Sequence, residues 1–131
     1  MTWGYYDDDS SRIDVHQQRY AASGAKVGIE TQVNSTPIGN QSDADVTALA
    51  DGGWVIMWET SGNVGMDIYQ QRYAVSGVKV GGETLFNIST DGYSDTAPVT
   101  SLADGGWVIA WSGGSGLYQQ RYDAAGNPVG G

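Results

Sequence analysis

The clearest pattern in the chain is a five-residue run, Trp54-Val55-Ile56-Met57-Trp58, that is apolar at every position. Alternate residues of a strand project to opposite faces, so Trp54, Ile56 and Trp58 share one face and Val55 and Met57 the other. A strand greasy on both faces needs cover on both, which predicts an inner strand. Ahead of it, Val46-Thr47-Ala48-Leu49-Ala50 leads through Asp51-Gly52-Gly53. Asp-Gly between apolar runs is a hairpin signal, because both turn residues tolerate positive φ. Further on, Tyr69-Gln70-Gln71-Arg72-Tyr73 puts two tyrosines and Gln71 on one face. Gln70 and Arg72 fall on the other, polar enough to lie near solvent or a carboxylate. This strand turns through Ala74-Val75-Ser76-Gly77, where the final glycine fits a bulged hairpin, and returns as Val78-Lys79-Val80 towards Leu85-Phe86-Asn87-Ile88. The pattern predicts four consecutive antiparallel strands.

The same pattern recurs. VHQQRYAASGAKVGIETQVN at 15 to 34 returns as IYQQRYAVSGVKVGGETLFN at 68 to 87 with 13 of 20 positions identical, and LYQQRYDAAGNPVGG follows from 117. VTALADGGWVIMW at 46 to 58 returns as VTSLADGGWVIAW at 99 to 111 with 11 of 13 identical. The offsets are 53 residues between the DGGW copies, and 53 then 49 between the QQRY copies. Length variation is therefore confined to the stretch between each WVIxW strand and the tyrosine strand after it. A four-stranded meander repeated every fifty or so residues is the pattern of a β-propeller blade, and a β-helix coil would be far shorter.

The expected architecture is accordingly all-β and β-propeller-like, with about two and a half blades in one repeat domain spanning 1–131. A partial blade occupies 1–35, a full blade 36–88, and a blade with a truncated last strand 89–131. Trp3 stands where the next unit has Trp58, so the chain opens inside a unit. Propellers close with about four to eight blades. Either the chain belongs to something longer, or several copies complete a ring. Open blade faces and unpaired edges invite association, which predicts a homo-oligomer.

Composition narrows the function classes. Fifteen acidic against six basic side chains give a formal charge of -9, which repels nucleic acid and anionic membrane and attracts cations. Cysteine is absent, so neither a disulfide framework nor a thiolate metal site is possible. No apolar run has the length of a membrane helix, and the first residues do not read as a signal peptide. An export signal is expected to lie outside this chain.

The succession LADGGW, YQQRYDAAGNPVGG and QSD resembles the tandem repeats of large secreted bacterial proteins of the RTX-adhesin type. The chain differs from that pattern in carrying Trp54 and Trp107 where phenylalanine is usual after DGG. The resemblance implies an extracellular or cell-surface setting, with adhesion or carbohydrate contact and calcium as companions.

Candidate chemistry collects near the start. Asp7, Asp8, Asp9 and Asp14 bring several carboxylates near one loop, the hard oxygen donors calcium prefers, although neither an EF-hand nor a glycine-rich nonapeptide spacing is present. Trp3, Tyr5 and Tyr6 beside that loop are candidates to stack on sugar rings. One weak glycan site per blade would gain avidity through repetition. The recurrent Arg19, Arg72 and Arg121 read as structural, paired to a carboxylate or to carbonyls between strands. His16 stands where the other units have Tyr69 and Tyr118, and reads as a packing residue. No GxSxG, HExxH or P-loop occurs, and near-identical units argue against an active site, which needs unique residues. The sequence thus points to a non-catalytic, lectin-like or adhesive binding module. Its alternative is a purely structural repeat that binds only itself.

Overall fold

The computed structural model describes residues 1–7, 12–35, 39–62, 65–85, 95–96, 98–113 and 116–130. Among them every regular element is a strand and every pairing is antiparallel. The first sheet is a meander of β1 (Thr2–Asp7), β2 (Arg12–Tyr20) and β3 (Lys26–Gln32). The second has four strands in chain order, β4 (Gln41–Ala48), β5 (Trp54–Gly62), β6 (Gly65–Tyr73) and β7 (Lys79–Leu85). In the third, β10 (Trp107–Gly113), β11 (Gly116–Tyr122) and β12 (Pro128–Val129) repeat that order. Two short strands, β8 (Asp95–Thr96) and β9 (Thr100–Ser101), together take the place of β4 along the edge of β10. Even in the second sheet this strand is irregular, since its register shifts between Ser42 and Asp45.

The hairpins share one turn. The N–H of Gly52 donates to the carbonyl of Leu49, and the N–H of Leu49 to the carbonyl of Gly53. The same pair of bonds recurs at Ala74 to Val78 and Leu102 to Gly106. Gly52 and Gly105 sit at φ of 81° and 88°, while Asp51 stays out of the left-handed region. The turn therefore holds a single left-handed residue, the glycine, although the sequence lets both Asp51 and Gly52 take positive φ. Asp51 contributes instead through its side chain, whose Oδ1 accepts the N–H of Gly53 at 2.8 Å.

The both-sided strand is buried as its pattern requires. Ile56 and Trp58 pack with Val15, Val33 and Tyr73 into one core, against the first sheet. Val55 and Met57 pack with Leu49, Ile68, Val99, Trp107, Ile109 and Tyr122 into the other, against the third sheet. The second sheet is thus sandwiched, and the molecule has a core at each junction rather than one at its centre. The outer strands β3 and β7 are mostly exposed, as expected of edges.

Candidate functional site

In the first two QQRY strands the residues Gln-Gln-Arg do three different things. The first glutamine reaches to the following sheet. Gln17 Oε1 accepts the indole N–H of Trp54 at 3.0 Å, and Gln70 Oε1 accepts that of Trp107 at 3.0 Å. The second glutamine stays within its own sheet. Register shifts between Gln17 and Arg19 and again between Gln70 and Arg72, so extra residues of the outer strand bulge out opposite Gln18 and Gln71. The amide nitrogen of Gln18 donates at 2.9 Å to the carbonyl of Arg19 and at 3.3 Å to that of Val27, and Gln71 repeats this with Arg72 and Val80. Gln120 does the same with Arg121 and Val129. The glutamine thus feeds a donor to carbonyls that the bulge takes out of the ladder.

The arginine spans both roles. Arg19 lies over the Trp54 ring at 4.9 Å from its centroid, and Arg72 over Trp107 at 5.8 Å. Arg72 also pairs with Asp51 at 2.7 Å, and Arg121 pairs with Asp104. Arg19 donates instead to the carbonyls of Val75 at 2.9 Å and Ser76 at 3.2 Å in the next sheet. These contacts agree with a structural reading of the recurrent arginines. The backbone N–H of Gly53 and then Arg72 hold the Asp51 carboxyl below its ordinary range, and Gly106 and Arg121 do the same for Asp104.

Where consecutive sheets meet, these residues line a cleft, and the cleft occurs twice. The first is lined by Gln17, Arg19, Gly28, Thr31, Trp54 and Gly77 and encloses about 170 Å³. The second, of about 200 Å³, is lined by the corresponding Gln70, Arg72, Gly81, Thr84, Trp107 and Gly126. Its donors and acceptors are an amide, a guanidinium, a hydroxyl and the backbone of a bulge. The tryptophan ring offers little face to a ligand. Tyr73 stacks on Trp54 and Tyr122 on Trp107, each with centroids 5.3 Å apart, the arginine covers the ring further, and Trp107 is only 1% exposed. Recognition here would be by hydrogen bonding rather than by stacking.

Burial, reinforced by the charge of Glu83, pushes the Tyr73 hydroxyl up to about 12, and burial likewise raises Tyr122. These phenols are neutral parts of the junctions at any ordinary pH.

The residues singled out near the chain start lie elsewhere. Trp3, Tyr5 and Tyr6 belong to β1, paired in register with His16, Asp14 and Ile13, and Asp7 pairs with Arg12. Asp8 and Asp9 lie outside the described residues. Asp14 is buried, with Arg12 Nε 3.2 Å from its Oδ1 and Asn34 Nδ2 donating to the same oxygen at 2.8 Å. Asn34 in turn accepts the N–H of Val15 at 2.9 Å, so Asp14 is tied into a buried network between β2 and the end of its own unit. Among the described residues no group of three or more histidine, aspartate or glutamate side chains is placed to hold a metal ion. His16 pairs through Nδ1 with Glu30 at 2.9 Å.

The clefts were not singled out from sequence, because each is assembled from two units. The available signal was the joint recurrence of the first glutamine with a tryptophan 37 residues later, Gln17 with Trp54 and Gln70 with Trp107. Compared with protein-family models, with curated proteins and with solved structures, the chain matches none.

Proposed function

We propose that the chain is a non-catalytic extracellular binding module, built of propeller-type blades, that holds hydroxyl-rich ligands such as glycans in the clefts between blades. The observation that carries this reading is the twofold occurrence of one cleft, with glutamine, arginine, threonine and left-handed glycine at matching positions. At about 200 Å³ each cleft is smaller than a drug-sized pocket, a scale suited to one sugar ring held by polar contacts. Weak sites repeated along a rigid stack gain from simultaneous engagement. The acidic charge and the resemblance to secreted adhesin repeats support an extracellular setting. Calcium is the proposed companion ion at the acidic stretch Asp7-Asp8-Asp9, tested by a melting curve with and without chelator, where an unchanged midpoint removes it.

A glycan array read at several protein concentrations tests the ligand. The doubly substituted Thr31→Val, Thr84→Val protein, which loses a hydroxyl from each cleft without losing bulk, should lose the saturable signal. An array with no saturable signal sinks the ligand reading. The rival is a purely structural repeat, and one observation favours it: at each junction the tryptophan N–H and the first glutamine's Oε1 already satisfy each other, with the arginine lying over the ring.

A further inference from the structure

The second cleft lies between the second and third sheets, and among its described lining residues Arg72 is the only one with a charged side chain. Gln70 is already engaged, since its Oε1 accepts the Trp107 N–H and its side chain also hydrogen-bonds the Tyr122 hydroxyl. The Thr84 hydroxyl and the remaining N–H groups of Arg72 are then the side-chain donors left for a ligand. The charged neighbours on β7 are engaged elsewhere: Lys79 donates to the Val33 carbonyl at 2.7 Å, and Glu83 accepts the Ser35 hydroxyl at 2.7 Å. The charge that a ligand meets in this cleft is therefore set by Arg72 and by what pairs with it. Asp51, in the hairpin turn of the same sheet, is that partner. Its Oδ2 lies 2.7 Å from Arg72 Nη2, while its Oδ1 accepts the Gly53 N–H at 2.8 Å, so the turn itself holds the carboxylate in place. The Asp51 side chain is 52% exposed and that of Arg72 18%, which makes the anion the more open partner. The third sheet repeats the arrangement: Arg121 pairs with Asp104, which accepts the Gly106 N–H at 3.1 Å. The pairing thus belongs to the unit.

We propose that Asp51 makes the second cleft selective for uncharged sugars, admitting neutral hydroxyl-bearing rings and rejecting those that carry a carboxylate or a sulfate. This rests on the glycan reading of the clefts and narrows it to a class of ligand. A carboxylate or sulfate seeks an arginine for its full positive charge and its paired N–H donors. Here one edge of the guanidinium is already taken by Asp51, and an incoming anion would stand beside a half-exposed carboxylate of its own sign. Such like-charge neighbours penalise the wrong ligand more than they reward the right one. A sugar hydroxyl carries no net charge, so the pairing leaves it free to accept from the N–H groups that Asp51 does not use. The Gly53 N–H and then Arg72 hold the Asp51 carboxyl below its ordinary range, so the screen is in force at any ordinary pH. Asp51 acts through Arg72 and is a positioning and selectivity residue rather than a ligand contact.

The test is an array on which each neutral oligosaccharide is printed beside its uronic-acid or sulfated counterpart, read with the full chain carrying Thr31→Val so that the second cleft gives the signal. Neutral members should half-saturate at concentrations at least about tenfold lower than their acidic counterparts. Asp51→Asn keeps an oxygen for the Gly53 N–H, and should retain the circular dichroism of the parent while improving acidic binding by about tenfold and leaving neutral binding within about threefold. Adding Thr84→Val to that variant should abolish both signals, which places them in this cleft. Salt gives a second readout that needs no change at Asp51: neutral binding by the parent should hold steady between about 0.05 and 0.5 M salt, where attraction to an unmatched guanidinium would fade. Acidic members bound by the parent as tightly as neutral ones would overturn the selectivity and leave the glycan reading standing. A folded Asp51→Asn protein that gains no acidic binding would do the same. An array without any saturable signal removes the glycan reading, and the selectivity with it.

Discussion

Ile68 and Leu117 occupy the same register position in successive units, opposite Glu59 and Ser112 respectively, but Ile68 is buried against the third sheet while Leu117 is exposed. That makes one substitution at two sites a test of the stacking itself. Ile68→Ala removes three carbons from a fully buried side chain in the core with Val55, Met57 and Trp107. At ~0.8 kcal/mol per buried carbon the transfer loss is about 2.4 kcal/mol. The cavity left in a close-packed junction brings the total to roughly 3–4 kcal/mol. Leu117→Ala acts on a side chain that is 83% exposed, and should stay within about 0.5 kcal/mol in the dissociated chain. Urea unfolding of dilute protein, followed by tryptophan fluorescence, reads the difference. With a slope near 2 kcal/mol per molar, Ile68→Ala should lower the midpoint by about 1.5–2 M and Leu117→Ala should leave it in place. Equal shifts from the two alanines in the monomer would refute the sandwiching of the second sheet, whatever the individual values.

Three further outcomes follow from the geometry. A Cβ added at Gly53 would lie 2.3 Å from the Tyr73 carbonyl oxygen, whereas one at Gly82 meets nothing within 4 Å; Gly53→Ala should cost about 1–3 kcal/mol by thermal melting and Gly82→Ala almost nothing. Trp107→Phe should cost more than packing alone, because it orphans the buried Gln70 acceptor at about 1–3 kcal/mol, and the penalty should shrink in the Gln70→Leu background of a double-mutant cycle. For Tyr73 the folded chain holds its proton to about pH 12 while the unfolded chain releases it near 10. Its contribution is therefore intact below pH 10 and lost as pH rises towards 12, by roughly 3 kcal/mol, and Tyr73→Phe should flatten that alkaline limb of the stability curve.

Much of this fold was legible in the chain. Apolar residues at every position of Trp54 to Trp58 require two covered faces, and the two cores on either side of β5 supply them. Glycine at the end of the Ala74 turn announced a bulged hairpin, and Gly77 adopts the left-handed conformation this needs, as Gly24 does in the preceding copy. The third sheet departs from the repeat in its first strand, which is split into β8 and β9, and the near-identity of its VTSLADGGW segment to the second unit gave no warning. The candidate site was harder to read. Gln17 and Gln18 are the same residue type side by side, and only the third dimension shows that one reaches the next sheet while the other fills a bulge. Recurrence marked these residues as structural, and so drew attention to the unrepeated aromatics and aspartates near the chain start. A cleft lined by residues some sixty positions apart, such as Gln17 and Gly77, has no local signature.

The tryptophan bond runs one way: the donor belongs to the later unit and the acceptor to the earlier one, at both junctions. An inserted extra copy would arrive with an indole for the unit upstream and a glutamine for the unit downstream, so tandem duplication in the gene would lengthen the array without any compensating mutation. Deletion of an internal copy would be tolerated for the same reason.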